Sequence, residues 1–133
     1  MKIRQCLFIF ACFFGTTAVA QDFAIDEIMK EARTVITKDL KDPVTAQFRG
    51  EFIRKFTNAR GKDVFIVCGE VNAKNSYGGY VGFAPYYFAS TGKTGRIRNN
   101  TNAEVFDGMY AITCKNEKEG MELITIPDSV TGL

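Results

Sequence analysis

Carboxylates are the side chains with the best prospects for acid–base chemistry here, because the chain contains no histidine. That absence removes Ser-His and Cys-His nucleophiles together with the commonest zinc ligand. Glu70 stands in an apolar run and could pair with Asp107 or Asp63 for glycoside cleavage, which needs a separation of about 5–10 Å. A glutamate near a strand end more often pairs with a cation such as Lys74. We therefore predict no enzyme, cofactor or metal, and keep a histidine-free hydrolase using Glu70 as a secondary alternative.

Two short matches to catalytic motifs are better explained by a turn. Ser90–Lys93 fits Ser-x-x-Lys and Lys93–Gly95 fits Lys-Thr-Gly, but both fall on the same six residues, whereas penicillin-recognising enzymes use two separate segments. A phosphate-binding loop ending here would need glycine at position 87, which is Tyr87. We predict a hairpin turn at this point.

A polar, glycine-rich turn and the aromatic residues after it form the predicted binding surface. Its members combine amides, a hydroxyl and aromatic rings: Asn72, Asn75, Ser76, Tyr77, Tyr80, Phe83, Tyr86 and Tyr87. Aromatic rings with a polar tip are enriched at protein interfaces, and flat rings also suit sugar faces. The alternative is architectural: the asparagines satisfy backbone groups, Gly78 and Gly79 supply positive φ, and part of the aromatic set is core.

An amphipathic helix is predicted before the sheet, from Asp22 to Lys41. Its apolar residues repeat at helical spacing along one stripe: Ile25, Ile28, Met29, Ala32, Val35, Ile36 and Leu40. Asp22 is expected to cap the helix, and Asp42-Pro43 to end it, because a residue before proline avoids the helical region.

Three or four antiparallel strands should follow. Gln47 to Phe56 alternates, which predicts one face carrying Phe48, Phe52 and Phe56 and a wet opposite face. Val64 to Val71 is apolar on both faces and should lie centrally. The other two predicted strands are Tyr80 to Phe88, where Pro85 marks an edge, bulge or break, and the short Arg96 to Arg98.

A second helix is predicted from Asn102 to Cys114. Residues 101–104 fit a capping box, and apolar residues then recur at helical spacing, although Gly108 costs about 1 kcal/mol relative to alanine. A strand over Met109 to Cys114 is the alternative. Residues 123–126 could add a short strand or stay loose. The expected fold is therefore α+β: helix, antiparallel sheet, helix.

The first twenty residues have the features of a bacterial secretion signal. Lys2 and Arg4 precede an uncharged apolar run, 6–14, that is shorter than the about 20 residues needed to span a bilayer. Residues 18–20 then provide a small-x-small cleavage site. We expect removal of residues 1–20, leaving 21–133 as a single domain in the periplasm or outside the cell.

Cleavage changes both the charge and the cysteine inventory. Removing Lys2 and Arg4 from a total of 17 basic residues, against 15 acidic ones, leaves a nearly neutral protein. That argues against nucleic acid and anionic membrane as partners, and we expect no transmembrane anchor to remain after cleavage. Cys68 and Cys114 become the remaining cysteine pair, for which we predict a disulfide joining the late helix to the central strand.

Two motifs and the late helix ending at Cys114 carry a family resemblance. The first motif is Asp42-Pro43-x-Thr45-Ala46-x-Phe48; the second is Val67-Cys68-Gly69-x-Val71-Asn72-x-x-Asn75-x-x-Gly78-Gly79-Tyr80-x-Gly82-Phe83. Over Ala32 to Cys114 the chain resembles a group of small exported proteins of bacteria and their phages. The resemblance implies a shared fold with the disulfide and glycine-rich turn as defining features, and it brings no catalytic residues. Relatives usually carry a larger residue at the position of Gly108.

These features lead to two functional hypotheses from different classes. The first is an exported, non-enzymatic module that binds another envelope or secreted protein through the predicted binding surface, as an inhibitor, an immunity protein or an envelope accessory. The alternative is a peptidoglycan or glycan binder that uses Tyr77, Tyr80, Tyr86 and Tyr87 as stacking platforms.

Overall fold

The computed structural model describes residues 17–115 and 120–126, so most of the predicted export signal lies outside the described residues. The elements run in the order α1 (Thr17–Thr37), a 3-10 turn (Pro43–Thr45), β1 (Gln47–Thr57), β2 (Asp63–Lys74), β3 (Tyr80–Ala89), β4 (Thr94–Ile97), α2 (Ala103–Tyr110), a π-helical turn (Ala111–Lys115) and β5 (Glu122–Ile124). The predicted α+β fold is confirmed. The antiparallel sheet contains five strands in the order β4-β3-β2-β1-β5, because Glu122–Ile124 pairs with β1.

The helix α1 covers one face of the sheet with its predicted apolar stripe. The buried residues of that stripe repeat at intervals of three and four: Ile25, Met29, Ala32 and Ile36. They pack against inward-facing residues of the three middle strands: Ile53, Val67, Val71, Tyr86 and Phe88. None of the helices in the described part of the chain is both long enough and apolar enough to cross a membrane.

The opposite face of the sheet holds α2 and the π-helical turn. Phe106 of α2 lies 5.3 Å from the Tyr87 ring and 5.4 Å from the Tyr110 ring, measured between centroids. Cys114 packs beside Cys68 at the centre of this face. Because β2 is buried on both sides, its prediction as the central strand is confirmed.

A β-bulge in β1 overturns the predicted alternation of its phenylalanines. Arg49 pairs with Glu70 and Phe52 with Cys68, so two residues, Gly50 and Glu51, stand opposite one residue of β2. Gly50 adopts φ 58°, which glycine accepts without strain. Consequently Phe48 packs with the α1 core, whereas Phe52 and Phe56 pack with the other core.

Pro85 does not interrupt β3. The strand pairs with β2 on both sides of Pro85, whose carbonyl accepts the Arg98 N–H at 2.9 Å. The backbone N and O of a strand residue point to the same side, so the missing N–H of Pro85 faces the β4 side, just beyond Ile97 where β4 ends. The proline therefore sits where β3 becomes an uncovered edge.

The helix ends differ from those predicted. Asp22 lies within α1, so its assignment as the cap is wrong. The helix also ends at Thr37 rather than Lys41, and the Leu40 N–H donates to the Thr37 carbonyl at 3.0 Å in the turn that follows. This turn fits the need for non-helical backbone before Pro43.

The predicted second helix is present, but its capping box is not. Asn102 is the N-cap residue and makes no side-chain cap bond to the helix. Its Nδ2 donates instead to the Ile97 carbonyl at 2.9 Å, and its Oδ1 accepts the Asn99 N–H at 2.8 Å. Asn102 therefore anchors α2 to the end of β4.

Candidate functional site

The β2–β3 turn is organised by the side chain of Asn75. Its Oδ1 accepts the N–H groups of Tyr77 at 3.0 Å and Gly79 at 3.1 Å. The backbone N–H of Asn75 donates to the Gly79 carbonyl at 2.8 Å. Gly78 adopts φ 83°, as predicted, whereas Gly79 does not have positive φ. The amide of Asn75 thus holds the turn in one shape and leaves Tyr77 at its tip.

Asn72 is buried at the base of the same hairpin. Its Oδ1 accepts the Gly82 N–H at 2.9 Å, and its Nδ2 donates to Gln47 Oε1 at 3.4 Å. Gly82 lies in an irregularity of the β2–β3 ladder and adopts φ 99°. Both predicted asparagines therefore stabilise the hairpin from within, as the architectural interpretation expects.

Four large apolar side chains are exposed at this end of the molecule. They are Tyr77 at 97% exposure, Val44 at 93%, Val81 at 68% and Tyr80 at 44%, and we call them the hairpin surface. Ser76 is exposed in the turn beside Tyr77. Val44 belongs to the 3-10 turn, and no signal in the sequence placed that turn beside the hairpin.

Two contacts fix the 3-10 turn against the hairpin. The Tyr80 hydroxyl donates to the Thr45 carbonyl at 2.9 Å. Lys74 Nζ lies 3.6 Å from the Asp42 carboxylate and 5.4 Å from the centroid of the Tyr80 ring. These contacts place the segment that contains Val44 beside Tyr80, at the same end of the sheet as Tyr77 and Val81.

The remaining predicted binding aromatics lie elsewhere. Tyr86 is fully buried in the α1 core and so is not part of an exposed surface. Tyr87 packs against Phe106 under α2. Phe83 is half-buried, with the Arg49 guanidinium 3.8 Å from its ring centroid, so one face of this ring is already covered.

A buried ionic cluster, which no pattern in the sequence indicates, links α1, β1 and β3. Arg33 Nη2 lies 2.5 Å from Glu51 Oε2, and the Tyr86 hydroxyl donates to Glu51 Oε1. The Arg33 and Glu51 side chains are 13% and 5% exposed. Burial, reinforced by the negative charge of Glu51, raises the pKa of Tyr86 far above its usual range, so this hydroxyl remains a donor.

Gly69 makes room for the Glu51 side chain, so we predict that Gly69→Ala lowers the free energy of unfolding by about 1–3 kcal/mol. An added Cβ would lie 2.9 Å from Glu51 Cγ and 3.1 Å from Tyr86 Cε1. Urea denaturation measures the loss. Gly108→Ala in α2 is the control: nothing lies within 4 Å of its Cβ, and alanine should stabilise that helix by about 1 kcal/mol. A Gly69→Ala variant as stable as the wild type would contradict this tight fit.

The carboxylates considered for catalysis are all in ion pairs. Glu70 Oε2 lies 2.7 Å from Arg49 Nε, so its partner is not the expected Lys74. Asp107 accepts hydrogen bonds from Nε and Nη2 of Arg98, and Asp63 pairs with Lys55 at 2.9 Å. These hydrogen bonds lower the pKa of Asp107 and of Asp63, the opposite of what a general acid needs. The described residues contain no group of three or more side chains suited to a metal.

Cys68 and Cys114 form the predicted disulfide, with their Cα atoms 6.0 Å apart. Both residues are buried, and the Cys114 carbonyl accepts a hydrogen bond from Arg54 Nε at 3.2 Å. The bond joins the π-helical turn after α2 to the central strand. Its burial shields the sulfur atoms from thiols in solution.

The geometry defines an α+β domain with an exposed apolar hairpin end and a disulfide-anchored helix on one sheet face. Comparison of the chain with protein-family models, with curated proteins and with solved structures found no match in any of the three. Any function assigned to the chain must therefore rest on its own surfaces.

Proposed function

We propose that this protein is an exported, non-enzymatic module that binds another envelope or secreted protein through the hairpin surface. The observation that carries the proposal is the gathering of four exposed apolar side chains, from two distant segments, at one end of the sheet. Isolated exposed hydrophobic residues are common, but several at one end of a domain, with aromatic rings among them, are typical of protein interfaces. The predicted secretion signal supports the choice of an envelope or secreted partner.

The rigidity of the hairpin end favours binding. Asn75 closes the turn, Asn72 fixes the ladder irregularity, and Tyr80 is held by the Thr45 carbonyl. A preorganised surface loses little conformational entropy when a partner docks, so more of the contact energy appears as affinity. Tyr77 and Tyr80 are the expected anchors, because tyrosine is enriched among residues that dominate binding energy.

The glycan-binding alternative has less support from the geometry. It needs several aromatic faces open to solvent, yet Tyr86 is buried and Tyr87 packs under α2. Tyr80 carries Lys74 near its ring. Tyr77 is then the one fully accessible platform of the predicted four. A hydrolase using Glu70 would have to break the ion pair with Arg49 before the carboxylate could act.

Site-specific photocrosslinking tests the proposal. A photoreactive phenylalanine analogue at Val81, in protein produced from the full-length sequence, should crosslink one discrete protein in envelope fractions. The same probe at Val105, which is 75% exposed on α2, is the matched control and should not. Competition by unlabelled wild type should abolish the crosslink. A Tyr77→Ala/Tyr80→Ala competitor should be roughly 30-fold less effective, as expected for loss of about 2 kcal/mol.

Two outcomes would contradict the proposal. If the Val81 and Val105 probes capture the same proteins, or the double variant competes as well as the wild type, the hairpin surface is not the binding site. Circular dichroism must show that the double variant is folded. Sedimentation with purified peptidoglycan tests the alternative: pull-down that is lost on Tyr77→Ala would favour a glycan binder.

A further inference from the structure

A polar pocket lies at the end of the sheet opposite the hairpin surface. It has a volume of about 320 Å³ and is formed where the β1–β2 loop meets the β3–β4 turn. Its lining residues are mostly polar or charged: Asn58, Arg60, Lys62, Asp63, Val64, Ser90 and Thr91. Since β2 is 12 residues long, the pocket is roughly 35 Å from the β2–β3 turn. The two surfaces are therefore independent.

Two cations on the pocket wall have no carboxylate partner. Arg60 and Lys62 make no side-chain hydrogen bond or ion pair with any residue in the described ranges 17–115 and 120–126. The one acid of the lining, Asp63, is held by Lys55 at 2.9 Å and by the Thr57 hydroxyl at 2.9 Å. The positive charge of Lys55 offsets the negative charge of Asp63. The charges of Arg60 and Lys62 therefore remain uncompensated in the pocket.

The loop that carries these cations has a fixed backbone. Asn58 Oδ1 accepts the N–H groups of Arg60 at 2.9 Å and Lys62 at 3.1 Å, and the Asn58 N–H donates to the Lys62 carbonyl at 2.8 Å. Gly61 completes the turn with φ 72°. The Cα atoms of Arg60 and Lys62 are thus held close together on one short loop.

The second wall of the pocket supplies hydroxyl groups. The Ser90 N–H donates to the Phe65 carbonyl at 2.9 Å, and Ser90 Oγ accepts the Phe65 N–H at 2.9 Å. Since Oγ acts there as an acceptor, its hydrogen can be donated towards the pocket. Thr91, which is exposed, adds a second hydroxyl. The same pair of bonds fastens the β3–β4 turn to the central strand.

We propose that this pocket binds a phosphate group, either as inorganic phosphate or as a phosphomonoester on a larger molecule. Arg60 supplies the planar donor pair that suits two phosphate oxygens, and Lys62 adds a point charge. The hydroxyls of Ser90 and Thr91 donate to the remaining oxygens. The overall near-neutrality of the chain does not oppose such a local site, because Coulomb attraction is strongest within a few ångströms.

A phosphate titration followed by ¹H–¹⁵N spectra tests the proposal, using protein produced from the full-length sequence at constant ionic strength. Saturable shifts are expected at the amides of residues 58–62 and of Ser90 and Thr91. The variant Arg60→Ser/Lys62→Ser should bind phosphate about tenfold more weakly or not at all. Lys38→Ser/Lys41→Ser removes the same charge from exposed cations elsewhere, so it should bind phosphate like the wild type.

The possible results separate clearly. Shifts that do not saturate, that persist in Arg60→Ser/Lys62→Ser, or that are lost equally in the control would overturn the site. Spectra of each variant report whether it is folded. Co-sedimentation with phosphatidylcholine vesicles containing phosphatidic acid distinguishes the source: binding lost in Arg60→Ser/Lys62→Ser indicates a lipid headgroup, whereas no sedimentation beside saturable phosphate shifts indicates a soluble phosphate. Vesicle binding unchanged in that variant would contradict a lipid role for the pocket.

Discussion

Replacing Glu51 with alanine is expected to lower the free energy of unfolding by about 3–5 kcal/mol, one of the two largest effects in this protein. The carboxylate accepts hydrogen bonds from Arg33 on α1 and from the Tyr86 hydroxyl on β3. Truncation leaves a mostly buried guanidinium without its carboxylate and a buried phenol without its acceptor, and each loss carries a desolvation penalty. A cavity also forms beside Gly69, where the Glu51 side chain now packs.

Urea denaturation at pH 7 measures this loss, with Glu27→Ala as the control. Glu27 is exposed on α1, so its removal should change stability by no more than about 0.5 kcal/mol. Tyr86→Phe removes one hydrogen bond to Glu51 and keeps the ring, so it should cost about 1–2 kcal/mol. A Glu51→Ala loss below about 1 kcal/mol would show that water replaces the carboxylate and that the cluster is not a buried unit.

The apolar triple variant Arg33→Met/Glu51→Leu/Tyr86→Phe tests whether the charged cluster adds net stability or only aligns α1 with the sheet. Well-packed apolar side chains often replace a buried ion pair without loss, because no charge then has to leave water. We expect the triple variant to recover most of the stability lost in Glu51→Ala. If it is less stable than the single variant, the charged cluster contributes net stability rather than a means of aligning α1 with the sheet.

The periodic elements of the fold could be predicted because their burial follows simple repeats. The α1 stripe has a period of 3.6 residues, and β2 is apolar on both faces, which is typical of a central strand. The cysteine pair needed only an oxidising compartment and two remaining thiols. The structure confirms the α+β fold, the central strand and the disulfide.

The bulge in β1 could not be predicted from the alternation of Phe48, Phe52 and Phe56. A regular strand would put all three on one face, but the extra residue at Gly50 reverses the side on which the later two lie. The glycine was the one local hint. The same reversal turns Glu51 inward, and its partner Arg33 is 18 positions away on α1, beyond the reach of any local pattern.

The hairpin end shows the same division between local and long-range information. The glycine-rich turn was recognised from its composition, and its asparagines follow the turn chemistry known for this residue. Tyr77 lies at the tip of the turn and is exposed, whereas the register of β3 places Tyr86 in the α1 core. The composition of this stretch does not distinguish the two tyrosines. Val44 lies at the hairpin end because its neighbour Thr45 accepts a hydrogen bond from Tyr80, a residue 35 positions away in the sequence.

Removing the disulfide with Cys68→Ala/Cys114→Ala is expected to lower the free energy of unfolding by about 3–4 kcal/mol. The bond closes a long loop, since the two cysteines are 46 positions apart, and the released chain gains entropy when unfolded. Reduction of the denatured wild type, followed by refolding in excess reductant, gives a second measurement that keeps both sulfur atoms. Non-reducing mass spectrometry should show a Cys68–Cys114 peptide, and two free thiols would remove the basis of this prediction.

Loss of the disulfide should destabilise α2 before the rest of the domain, and hydrogen exchange can locate this effect. That helix has 8 residues, too few for a stable isolated helix, and besides the disulfide it depends on Phe106 packing and on the Arg98–Asp107 pair. We expect protection to fall in α2 while the Val67–Val71 core of β2 stays protected.

The hairpin surface lies on elements held by α1 and by its own asparagines, so the Val81 crosslink should survive in the disulfide-free variant while it remains folded. Equal loss of protection in β2 and α2 would mean that the bond stabilises the domain only as a whole.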